Sequence, residues 1–291
     1  MKKLFTFIFG ISLIVNAFGQ ATNGTCGIGL SWSLSGGKDN RTLTISGTGN
    51  MYDYGISAPW TYYSAEITNI EIKNGVTSIG NGAFQYCSNL PFLILPESIT
   101  KIGYSAFMSC TALSSINIPS GITIIESQTF LVCNSLTSIS LPNGLTTIEG
   151  YAFYGTGLTS ITIPENVTRL GSYAFADCPN LKTVNYNAVN CVDFGDLDKI
   201  NNNPYFYLAN SGFPFQWVGQ TNHSECNITT VNIGNNVKII PDFAFMNSKI
   251  TEITIPESVT YIGYAAFGNS NLTKVNYNAI NNSTFGSYIN Y

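Results

Sequence analysis

LTSITIPENVTRLGSYAF (158–175), LPFLILPESITKIGYSAF (90–107) and ITEITIPESVTYIGYAAF (250–267) are one pattern written three times. The leading apolar residue of the pattern falls at Ile67, Leu90, Leu113, Leu136, Leu158 and Leu181, in steps of 22 or 23. After a step of 47 it resumes at Ile228, Ile250 and Leu272. Self-similarity at such a period marks a solenoid, in which each unit is one supersecondary element stacked on the last. In the copy beginning at Leu158, Leu158, Ile161 and Ile163 follow L-x-x-L-x-L, and the closing alternation predicts a short half-buried strand. Pro164 comes next, with counterparts at Pro96, Pro119, Pro142 and Pro256; its missing N–H ends the strand and its fixed φ begins a turn. Val167 and Leu170 open a second apolar segment, glycine recurs at Gly80, Gly103, Gly171 and Gly263, and the unit closes on phenylalanine. These phenylalanines are Phe84, Phe107, Phe130, Phe153, Phe175, Phe245 and Phe267. A single unit buries too little apolar surface to offset the entropy of ordering its backbone, so the units must share one continuous core.

Working outward from the repeats, residues 20–65 do not follow the pattern. Their stretch WSLSGGKDNRTLTISGTG (32–49) predicts a hairpin around Gly36–Asn40, followed by Tyr52, Tyr54, Trp60, Tyr62 and Tyr63. Solenoids need a cap over the first exposed rung, and this segment is placed to be one, with its aromatics as cap core. Residues 66–187 are the main array, 188–227 an irregular insert or degenerate repeat, and 228–291 a second run with the C-terminal end. Because 47 is about two periods, the insert is expected to hold a degenerate rung with a bulging loop. Residues 1–19 read as a signal peptide. Lys2 and Lys3 lead an apolar run from Leu4 to Phe18, and Ala17 and Gly19 place small residues before a cut ahead of Gln20. The expectation is a secreted or outer-surface protein whose mature chain has no transmembrane segment.

Composition narrows the function. Of the 291 residues 44% are hydrophobic and only 10% charged, against roughly 25% charged in ordinary globular proteins. That excludes intrinsic disorder and demands a surface of uncharged polar groups. A net charge of −4 leaves no basic footprint for nucleic acid or anionic lipid. One histidine in the chain makes histidine-based catalysis or metal binding a poor fit. Cys87, Cys110, Cys133 and Cys178 each lie three residues after the phenylalanine of their unit, where Thr156, Ser248 and Ser270 stand in others. They read as small buried thiols.

The units resemble the bacterial BspA-type leucine-rich repeat family, whose pattern stands nearly complete in IPSGITIIESQTFLVCNSL (118–136), with Glu126 and Ser127 departing at the glycine position. CGIGLSWSL (26–34), LTISGTGNMYDY (43–54) and APW (58–60) are similar to the segment that precedes such arrays. The fold class expected is an α/β-type leucine-rich-repeat solenoid, mostly β with little helix. Short parallel strands would stack at a 22–23-residue period behind an N-terminal β-hairpin cap. The resemblance implies an exported or surface-displayed protein, with relatives that act as adhesins toward host matrix proteins or other cells. It carries no catalytic residues over.

No catalytic constellation emerges from the residues, and no cofactor is called for. Asp193-Phe194-Gly195 spells a kinase tripeptide without the rest of a kinase. Asp193, Asp196 and Asp198 match no known calcium loop, and read as a solvated acidic loop. Cys191, His223 and Cys226 make a poor zinc site; a Cys191–Cys226 disulfide closing the insert fits an exported protein better. Strand alternation turns Glu71, Phe92, Ile94, Asn117, Ser140, Thr162 and Asn185 outward as candidate partner-binding residues on a long, nearly neutral face. Phe92 and Ile94 break its polarity, as a docking anchor or as a patch covered by the cap. The chain therefore reads as a non-enzymatic, adhesin-like module for a protein ligand on host or neighbouring cells. A glycan-binding or nutrient-capture module and a structural spacer are the alternatives. Self-association through the C-terminal end is a further expectation.

Overall fold

Each unit of the repeat forms one rung with three edges: a front strand, a back strand and a turn that carries its phenylalanine. The structure is a computed structural model that describes residues 21–194, 214–215, 226–279 and 284–285. The leader, Asp196, Asp198 and His223 lie outside the described residues, as does the side chain of Asp193. Nine leading residues give nine rungs, and the one helix among the described residues is a 3-10 turn at Thr61–Glu66. Front strands run from Ile67–Ile72 to Lys274–Tyr277, and back strands from Val76–Ile79 to Thr284–Phe285. All inter-rung pairings are parallel. The fold is a mostly β solenoid, as the repeat predicts.

The hairpin cap is joined in the same way. Leu30–Ser35 pairs antiparallel with Arg41–Gly47, which in turn pairs parallel with Ile67–Ile72 as if it were a preceding rung. Trp60 of the cap is 1% exposed and donates its indole N–H to the Ala83 carbonyl at 2.7 Å.

Trp60 also starts the feature that organises the turn edge. From Trp60 through Phe84, Phe107, Phe130, Phe153, Phe175, Phe215, Phe245 and Phe267, rings stack in one column with centroids 5.1–6.0 Å apart and planes within 4–24°. Trp32 and Tyr54 meet Trp60 edge-on, closing the column at the cap. Such contacts contribute about 0.5–1.5 kcal/mol each beyond the area they bury.

Phe215 locates the rung that carries the insert. Thr183–Tyr186 and Thr230–Ile233 pair directly, four residues in register, so the front strands on either side of the 47-residue step are neighbours in the stack. Asp193–Phe194 supplies the back strand of this rung and Phe215 its ring, with the Phe175 N–H donating to the Pro214 carbonyl at 2.7 Å. The ring column continues through this rung because Phe215 fills the ring position between Phe175 and Phe245.

The turns impose a backbone cost that recurs with the repeat. Residues two before and two after each column phenylalanine other than Phe215 adopt φ of about +50° to +70°: Ser105 and Ser109 around Phe107, Gln128 and Val132 around Phe130, Phe243 and Asn247 around Phe245. Glycine fills this place only at Gly82 and Gly155. Alternate N–H groups of each turn then donate to the next, as Gly82, Phe84 and Tyr86 do to Tyr104, Ala106 and Met108 at 2.8 Å. The recurring glycine of the back edge has a different reason. A Cβ on Gly103, Gly171 or Gly263 would come within 2.2–2.6 Å of the preceding rung.

Proline controls the front ladder. At the residue that follows each front strand, Lys73, Asn187, Gly234 and Asn278 donate an N–H to the preceding rung at 2.8–3.1 Å, and at those four junctions the strands are paired along their length. Pro96, Pro119, Pro142, Pro164 and Pro256 have no N–H to give. Four of these junctions have no front ladder, and that before Pro119 keeps only two residue pairs. There the Asn117 amide substitutes for the ladder: it accepts from the Leu95 N–H at 2.7 Å and donates to the Leu95 carbonyl at 2.9 Å. Every junction between rungs retains a front or a back ladder.

The rung cysteines are buried, and Cys110, Cys133 and Cys178 donate through Sγ to the carbonyls of Phe84, Phe107 and Phe153 in the preceding rung at 3.1–3.2 Å. Burial pushes the Cys87 and Cys133 thiols up to about 12 and the Cys178 thiol to about 11.

Three outcomes follow for stability. Phe153→Ala breaks the column mid-array and should cost about 3–5 kcal/mol in denaturant unfolding, with Phe153→Leu losing less. Val132→Asn removes a β-branched residue from the left-handed region, where strain costs about 1–2 kcal/mol, and should raise the Tm by a few degrees. Thiol pKa values raised in the folded state mean that stability is intact below the unfolded value near 9 and lost as pH climbs through about 11–12. A Tm series should therefore be flat through the neutral range and fall above about pH 9, and native protein should resist iodoacetamide at pH 8 until denaturant is added.

Candidate functional site

Function on this scaffold has to sit on side chains the core does not consume, and the front strands provide the longest row of them. Residues two and four places after each leading residue point outward. Those at Glu71, Phe92, Ile94, Asn117, Ser140 and Thr162 are exposed, and Asn185 is half-buried. Glu71 pairs with Lys73 at 2.7 Å. Asn117 is exposed yet committed to the Leu95 backbone, which makes it a structural clip. Asn185 donates to Thr162 at 3.1 Å and accepts from Asn232 at 2.8 Å, so an amide–hydroxyl row crosses three rungs. Farther along, Glu252 accepts from Lys274 at 2.7 Å and from Asn276 at 2.8 Å, and these bonds hold its carboxyl below the ordinary range.

Phe92 and Ile94 are 53% and 72% exposed, so the cap does not cover them. Their counterparts on the other rungs are Asn, Ser, Thr, Glu or Lys, from Asn69 and Glu71 to Lys274 and Asn276. The pair is the one apolar break in the row.

The disulfide expectation is corrected. Cys191 and Cys226 are separate buried thiols. Cys191 packs beside the Tyr186 hydroxyl, just beyond the front strand, whereas Cys226 lies on the turn edge against Cys178, Phe175 and Phe215. The two occupy different edges of the rung. Cys226 stands two residues before Ile228, the place Thr156 and Ser248 hold relative to Leu158 and Ile250, so it is a rung residue like the other cysteines.

Two surfaces escape a reading by repeat position alone. Tyr151 packs against Tyr154 and Tyr173 on the turn edge, at 5.7 and 5.1 Å between centroids, and the Tyr154 hydroxyl donates to Asp177. The second is a groove of about 730 Å³ between the front strands Thr230–Ile233 and Glu252–Ile255. Its proline, Pro256, was visible in the sequence; the opening it leaves depends on the rung before. In the cap, Trp60 and Tyr63 are buried, while Tyr62 and Tyr52 remain exposed. Among the described residues no three His, Cys, Asp or Glu side chains cluster to hold a metal ion, and no helix is long and apolar enough to cross a membrane.

Six copies of the BspA type leucine rich repeat region match residues 58–182 and 213–291. Among solved structures, the chain is similar to a leucine-rich repeat protein from Bacteroides ovatus, at 25% identity over 84% of this chain and 63% of that one, with a TM-score of 0.44. It thus spans less than two thirds of that protein. It is also similar to a leucine rich cell surface protein from Faecalibacterium prausnitzii (21% identity, 88% and 94% covered, TM-score 0.42) and to a leucine rich repeat protein of T. pallidum (22%, 77% and 88%, 0.45). No curated protein matches the chain. Since the matched repeats fill more than half of its length, the chain belongs to the BspA-type leucine-rich repeat family.

Proposed function

We propose that this protein is an exported, surface-displayed binding module that docks a host matrix or cell-surface protein on its front face, with Phe92 and Ile94 as the anchor. The observation that carries this reading is the exposure of that pair, adjacent on one rung of an otherwise polar row. An aromatic–aliphatic pair surrounded by hydroxyls and amides has the composition of an interface centre with a polar rim. Export is supported by Lys2 and Lys3, the apolar run to Phe18 and the small residues before Gln20. The module is read as non-enzymatic. Its outward groups are hydroxyls, amides and ion-paired carboxylates, spread along a row instead of converging on a reacting atom.

Self-association belongs to the same reading. Val275 and Tyr277 hold inward positions of Lys274–Tyr277, the last front strand among the described residues, yet are 45% and 40% exposed, where the matching Ile253 and Ile255 are buried. Light scattering across a concentration series should show association that Val275→Asp abolishes; a monomer at every concentration contradicts it.

The docking claim is tested by binding the purified mature chain to immobilised matrix proteins beside Phe92→Ser/Ile94→Ser. Saturable binding should fall at least about 10-fold in the double variant, an anchor-sized loss, with Tm within a few degrees of the parent. Unchanged binding, or a large loss of stability, contradicts the assignment.

A further inference from the structure

The junction before Pro256 differs from its neighbours in what its missing ladder leaves behind. One rung earlier, Thr183–Tyr186 and Thr230–Ile233 are fully paired, and Gly234 donates the closing bond to Tyr186 at 2.8 Å. One rung later, Glu252–Ile255 and Lys274–Tyr277 are fully paired, and Asn278 closes on Ile255 at 3.0 Å. Between these two intact ladders, Pro256 cannot donate, and no ladder joins Thr230–Ile233 to Glu252–Ile255. The gap is bounded above and below. The Lys249 N–H donates to the Ile228 carbonyl at 2.8 Å, and the Thr260 N–H to the Lys238 carbonyl at 2.9 Å. What remains is the groove of about 730 Å³, within the size range of small-molecule sites.

Its walls are backbone as well as side chain. In a strand, N–H and C=O groups of alternate residues turn to the same side. The register of the neighbouring junctions therefore aims those of Val231 and Ile233 into the gap from one wall, and those of Glu252 and Thr254 from the other. Val231, Ile233 and Ile253, whose side chains face the core, line the groove through these groups. Thr230, Asn232 and Thr254 add hydroxyls and an amide at the mouth.

We propose that this groove binds a neutral saccharide. A sugar hydroxyl donates and accepts at once, so it bridges a carbonyl on one wall and an N–H on the other, as a row of vicinal hydroxyls does repeatedly. An extended peptide is disfavoured by width. Inserting a strand needs about twice the 4.8 Å strand spacing, yet Cα atoms of the two walls still approach within 8 Å. An anionic sugar is disfavoured by Glu252 and Glu257, the two charged residues of the lining. The lining has no aromatic platform, which sets the expected affinity near the millimolar range. The site lies at the opposite end of the array from Phe92 and Ile94, and does not depend on the protein-docking reading.

The test uses Pro256→Asn, which installs the residue found at Asn187 and Asn278 and returns the closing N–H to Ile233. The probes are mannan, laminarin and galactan, with the anionic polysaccharide pectate alongside, in affinity electrophoresis of the full mature chain. The wild type should be retarded by at least one neutral polysaccharide and not by pectate. Pro256→Asn should lose at least about 10-fold in affinity while its Tm rises, since the ladder closes over the groove. Asn232→Leu, which leaves the backbone untouched, should lose at least about 3-fold and guards against a folding failure of the first variant. Retardation by no neutral polysaccharide, retardation by pectate alone, or full retention of binding in both variants would overturn the proposal.

Discussion

The ring column on the turn edge is the interaction on which the rest of the solenoid depends. From Trp60 to Phe267 it is continuous, whereas the front and back ladders are interrupted at several junctions. A rung can lose one ladder and stay in register because its ring is held on both sides and its other strand is still paired. The same constraint explains the long unit between Leu181 and Ile228. However the intervening chain runs, Phe215 must occupy the column between Phe175 and Phe245, and it does. It also explains the backbone strain. Among the described turns that carry a phenylalanine at the tip, the ring has left-handed residues on either side of it, and even Val132 adopts that conformation.

With spacing fixed elsewhere, the front edge is free to vary, and proline is what varies it. Where the residue after the front strand has an N–H, the ladder closes; where it is proline, the ladder shortens or vanishes. This divides the front face into paired stretches and open seams. Side chains respond locally, as the Asn117 amide does across one seam. Opening a seam costs part of the stability that pairing would bring, and leaves polar backbone within reach of a ligand. The binding surface and the stability of this protein are thus set by the same residue position.

Much of this was legible in the sequence. The period, the strand alternation, the hairpin around Gly36–Asn40 and the burial of the rung cysteines follow from residue types at fixed offsets, because each depends on chain-local geometry. Phe215 was hidden, since the distance from Asp193–Phe194 to its ring matches no other unit. The choice between an irregular insert and a degenerate repeat stayed open for the same reason: a length of two periods says nothing about whether the second period is folded into a rung. The bridge between Cys191 and Cys226 suited the compartment, but the chain sends the two thiols to different edges. Asn117 was marked as an outward residue, correctly by position, while its clip on Leu95 depends on a carbonyl and an N–H that the sequence cannot place. The five prolines were read as strand terminators within their own rung. Their larger effect falls on the junction with the rung before, which appears only when two rungs are stacked.

Amide hydrogen exchange tests the central claim, that proline opens the front ladder at defined seams, most directly. Thr254 and Asn185 occupy the same place in their rungs and both face the preceding rung, but only Asn185 lies in a closed ladder. The account predicts that the Thr254 amide exchanges at least about 100-fold faster than that of Asn185, at equal intrinsic rate and below global unfolding. Equal protection at the two positions would mean that the seam before Pro256 is closed in solution, and would contradict the account.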